Sequence, residues 1–110
     1  MATPALTISD FNGKFQAIQS YITPDTLGLI NGSETMKGLI RAYEADPNTR
    51  NVSLDNSSSA VFYPADQSKP ATMVFGDGLL KNSIDAVRTI SHELGHYDVD
   101  NPNGIVRKAW

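Results

Sequence analysis

The chain has no cysteine among its 110 residues, which excludes disulfides and every thiolate metal site. Any metal it holds must be gripped by His, Asp, Glu or water. The lack of cysteine leaves the compartment open, because a secreted protein need not carry disulfides. Long apolar runs are also missing. None approaches the roughly 18 residues of a membrane span, and the N-terminus lacks a charged-then-apolar signal pattern. Nine basic and twelve acidic residues are scattered along the chain, only Arg107 and Lys108 adjacent, for a net charge of −3. That distribution offers no basic stripe for nucleic acid and no charged tail for an anionic membrane surface. What remains is an ordinary soluble composition, 40% apolar and 19% charged, sized for one domain spanning 1–110.

Histidine is scarce too, and both copies sit in one run. Ser91-His92-Glu93-Leu94-Gly95-His96 contains a His-Glu-x-x-His pattern. On a helix, residues four apart stand one turn up the same face, so His92 and His96 can grip a single zinc ion. Glu93 lies about 100° round the helix from His92, within reach of a water activated by the metal. That geometry suits a general base better than a ligand.

The surroundings read as α+β. Residues 1–8 form a loosely held lead-in. Ser9-Asp10 supplies cap chemistry for a helix running to about Ile22, with Phe11, Phe15, Ile18 and Ile22 on one face and Gly13 weakening it. Thr23-Pro24-Asp25 ends that helix. Asn31-Gly32-Ser33 opens a second, from about Glu34 to Ala45, whose Met36, Leu39, Ile40 and Tyr43 read as core. Asp46-Pro47 stops it.

Three short strands follow, at 51–54, 60–63 and 71–75, and their loops suggest an antiparallel meander. Gly76-Asp77-Gly78 reads as the turn into the next helix and lacks the Gly-Lys-Ser/Thr of a phosphate loop. Ser83 is expected to cap a helix from about Ile84 to Asp98 or Val99. Its core face is Ile84, Val87, Ile90 and Leu94, with the histidines nearly opposite. Asn101-Pro102-Asn103-Gly104 ends it, and Ile105, Val106 and Trp110 are expected to dock back.

Residues 91–96 resemble the active-site helix of zincin metallopeptidases, and the helix, strands, helix order from about Ser33 to Val99 is similar at the level of fold. The resemblance implies zinc-dependent peptide hydrolysis, with His92 and His96 as ligands and Glu93 as general base. The metzincin branch does not fit, because Val99 and Pro102 stand where it has Gly and its third ligand. The gluzincin branch needs a Glu well downstream, and none follows Glu93. An aspartate is left, similar to the Asp-ligated zincins in ligand type but not in spacing.

Asp100 is the first choice, four residues after His96 and within roughly 40° of the histidine face if the helix persists. Asp98 would point to the core, and Asp77 or a ligand beyond residue 110 are the remaining readings. Tyr97 offers an oxyanion donor, though beside His96 a tyrosine more often packs. Asp85 reads as a solvated acid near the helix start or as a group orienting an imidazole. Gly95 suits a helix pressed against a strand.

The compact size also resembles His-Glu-x-x-His domains at the ends of bacterial toxin and effector proteins. That likeness implies secretion or delivery, a peptide or protein substrate from another cell, and a dedicated inhibitor or immunity partner. The competing reading is a non-catalytic zinc-binding or interaction domain on the same scaffold, favoured by the missing standard third ligand.

Overall fold

The computed structural model describes residues 3–66 and 68–100. It is α+β. After the N-terminal segment come helices α1 (Pro24–Asn31) and α2 (Glu34–Ala45), strands β1 (Ser53–Asp55), β2 (Ala60–Tyr63) and β3 (Thr72–Gly76), and helix α3 (Ser83–Asp100).

The lead-in is held firmly. Leu6 is buried in the core, and its peptide is clamped from both sides by the Asn31 amide: Leu6 N–H donates to Oδ1 at 2.7 Å and Nδ2 donates to Leu6 O at 2.9 Å. Lys37 and Arg41 of α2 donate to the Thr3 and Pro4 carbonyls. The leucine that reads as part of a loose terminus is a core residue.

The helix expected over 9–22 is instead two 3-10 segments, Ile8–Phe11 and Gln16–Tyr21. The reason lies between them. The Glu44 carboxylate of α2 accepts the Lys14 and Phe15 N–H groups at 3.0 and 3.2 Å, amides that a continuous helix would need for its own ladder. A side chain at Gly13 would stand 2.5 Å from Glu44 Oε2, so glycine is what lets the carboxylate in. Phe11, Phe15, Ile18 and Ile22 are nonetheless all buried, as their spacing requires.

Pro24 does not merely stop a helix. Thr23 accepts from the Thr26 N–H and Pro24 takes the first turn of α1, where its missing N–H costs nothing. Helix α2 matches its expected bounds, with Ser33 as cap and Met36, Leu39, Ile40 and Tyr43 buried.

The sheet is mixed and not a meander. Its order is β1-β3-β2, with β1 parallel and β2 antiparallel to β3. The most apolar strand takes the centre, with Met73 and Phe75 fully buried. The Ser57–Ser59 loop crosses the end of β3, where Gly76 N–H donates to Ser59 O at 2.8 Å and Gly78 N–H to Ser57 O at 3.0 Å. A Cβ on Gly76 would meet both carbonyls inside 2.7 Å, so glycine alone permits the crossover that leaves β2 at the sheet edge.

An aromatic chain joins the layers: Phe11–Phe15, Phe15–Tyr43, Tyr43–Tyr97 and Tyr97–Phe62, at centroid distances of 6.1, 5.3, 5.1 and 6.3 Å. It fixes α3 against α2 on one side and β2 on the other. Among the described residues no helix is long and apolar enough to cross a membrane. The expected docking of Ile105, Val106 and Trp110 lies outside the described residues.

Candidate metal centre on helix α3

Asn82, not Ser83, caps α3. Its Oδ1 accepts the Asp85 N–H at 2.8 Å, and its Nδ2 donates to the Asp85 carboxylate at 2.7 Å. Asp85 is thereby a helix-start residue two turns from the histidines and orients neither of them. Ser83 instead accepts from the buried Thr26 hydroxyl at 3.0 Å, tying the starts of α1 and α3 together.

The core face of α3 is rotated from the expected one. Ile90 and Leu94 are fully buried and Val87 packs at the margin, but Ile84 is 64% exposed. The buried stripe is Ala86, Ile90, Glu93, Leu94, Tyr97 and Asp98, spaced by threes and fours. Two of its members carry carboxyl groups. Asp98 faces the core, as helical geometry requires. Glu93 is 5% exposed and sits where the core meets a surface cleft.

His92 and His96 remain outside. Their Nε2 atoms are 3.1 Å apart, with rings 4.7 Å between centroids and at 87°. Two nitrogens each 2.0–2.1 Å from a tetrahedral zinc would lie about 3.3–3.4 Å apart, so the pair fits one ion within a few tenths of an ångström. Both imidazoles and Glu93 line a cleft of about 320 Å³ whose opposite wall is β2 and its exit, Ala60, Val61, Phe62 and Pro64. Asp100 lines the same cleft.

The third ligand is not gathered. Among the described residues no group of three or more His, Cys, Asp or Glu side chains is placed to hold a metal ion. Asp100 shares the cleft without closing a triad, Asp98 is in the core, and Asp77 opens a 3-10 turn (Asp77–Leu79) after β3.

Tyr97 is buried, and its hydroxyl donates to the Asp46 carboxylate at 2.7 Å. It serves the packing of α3 on α2. Gly95 is not pressed against a strand, for nothing lies within 4 Å of where its Cβ would stand. It lines a shallow depression of about 350 Å³ with Ser91, His92, His96 and Val99, on the other flank of the histidine pair.

The β2 wall was not legible as part of the site. Phe62 and Pro64 carry the signal in retrospect: a proline just after a strand marks a sheet edge, where a cleft can form. A neighbouring pocket of about 170 Å³ continues from the cleft past Phe62 and Asp100 to Asp46, Asn48 and Tyr97.

No protein-family model matches this chain, and no curated protein or solved structure does so either.

Proposed function

We propose that this chain is a zinc-dependent metallopeptidase domain of zincin type, in which His92 and His96 hold Zn²⁺, Asp100 is the third ligand and Glu93 is the general base. One observation carries the reading: two Nε2 atoms 3.1 Å apart with a buried carboxylate in the same cleft. When bound, zinc supplies the Lewis acid that activates a water and polarises a carbonyl.

The chain's own residues supply the rest. Glu93 is held against the core and lines the same cleft as both imidazoles, where a general base is needed. Strand β2, at the sheet edge and facing the pair, offers backbone groups to an extended peptide. Asp100 is the carboxylate other than Glu93 that lines the cleft, which is why it is assigned the third position. A protein substrate in another cell and a dedicated inhibitor belong to the same proposal, through the likeness to toxin and effector domains.

The second reading, a non-catalytic zinc-binding or interaction domain, is favoured by the missing triad. Metal content and peptide cleavage, measured together on wild type and Glu93→Ala, separate the two. The peptidase reading expects the variant to bind zinc and to lose hydrolysis by about 10²–10⁴-fold, because a base is removed and the ligands are spared. Equal hydrolysis by both proteins would end the peptidase assignment. Asp100→Ala is expected to weaken zinc binding.

A further inference from the structure

Among the described residues, which include every His, Asp and Glu of these 110 residues, no ligand triad is gathered. Two exposed imidazoles are ready for an ion that takes four ligands. The strip that carries them is open. Gly95 has no heavy atom within 4 Å of its missing Cβ, and Val99, one turn on, is 57% exposed despite being apolar.

We propose that two copies of this chain share one zinc ion, each giving His92 and His96, with the two α3 helices crossing at Gly95. The arrangement is isologous: one patch meets itself about a two-fold axis, and the second pair of imidazoles takes the places that Asp100 and water have in the monomer. Four imidazoles satisfy a closed tetrahedral site without any acid. Glycine between the histidines leaves room for the facing helix, and Val99 is covered by its counterpart.

The inference rests on the zinc-binding pair of the previous section and adds regulation to it. A shared ion has no position left for water, so the dimer is the inactive form and the monomer the active one. Activity per chain then falls as protein concentration rises, since the dimer is favoured by mass action.

Sedimentation velocity with metal analysis tests this on the full chain, using zinc alone as the probe. Zinc is expected to double the mass with half an ion bound per chain, and a chelator to restore the monomer. His92→Ala and His96→Ala should each stay monomeric. Gly95→Leu keeps both imidazoles and places its side chain in open space, so it should fold, bind one zinc per chain and stay monomeric.

A wild-type monomer holding one zinc per chain would overturn the shared site and leave the peptidase reading standing. A chain that binds no zinc would overturn both. A dimer that persists in chelator, or survives in Gly95→Leu, would overturn the inference alone.

Discussion

The Tyr97 hydroxyl donates to the Asp46 carboxylate at 2.7 Å, joining the helix of the histidines to the end of α2 one residue after His96. Helix α3 thus turns one side chain inward at every step where it turns an imidazole outward. Removing the hydroxyl should therefore be felt as stability. For Tyr97→Phe we expect a loss of about 1.5–3 kcal/mol in denaturant unfolding, the range for a hydrogen bond to a charged acceptor. Zinc binding should be kept. An oxyanion donor would behave oppositely, with turnover falling about 10²–10³-fold at unchanged stability.

The glycines differ sharply in what they tolerate. A methyl at Gly76 meets two serine carbonyls and a hydroxyl inside 2.7 Å, so Gly76→Ala must displace the crossover loop. We expect it to cost about 1–3 kcal/mol or more. Gly28 lies inside α1 with nothing within 4 Å, and Gly28→Ala should stabilise by up to about 1 kcal/mol through helix propensity. Thermal melts of the two variants should move in opposite directions.

Truncating the N-terminal segment at its anchor should unfold more than a terminus. Leu6→Ala removes a 2% exposed side chain from the main core, for an expected loss of about 2–5 kcal/mol. If Leu6 were part of a loose lead-in, chemical denaturation would register almost no change.

Helix α2 and the histidine helix were legible because each combines a cap with a long apolar period, and local signals of that kind survive folding. The 3-10 segments were not. Their apolar spacing is helical, and what breaks the helix is Glu44, about thirty residues away in sequence, capturing the Lys14 and Phe15 amides. Strand order failed for a similar reason. Nothing local to Ser53–Asp55 says that its neighbour will be Thr72–Gly76, because that choice is made where Ser57 and Ser59 pass over Gly76. At the site, the two histidines and Glu93 come from a single helix and could be read directly. The β2 wall comes from another element, and the rotation of the buried stripe that draws in Glu93 depends on what α3 packs against.

Tyr43 sets an alkaline limit on the fold. Its phenol is fully buried, donates to Arg50 O at 2.8 Å, and burial pushes its pKa up to about 12, with the Glu44 and Asp46 carboxylates adding in the same direction. In the unfolded chain the phenol titrates near the ordinary value of about 10. The folded state therefore holds its proton where the unfolded state has released it. The stabilisation is fully present below pH ~10 and is lost as pH climbs through ~12. Unfolding free energies should stay flat for this residue's part from neutral pH to pH ~10, fall between pH ~10 and ~12, and level off above that. Tyr43→Phe should start lower by about 1 kcal/mol for the lost hydrogen bond and show a shallower alkaline decline. The same slope in wild type and variant would assign the alkaline loss to other groups.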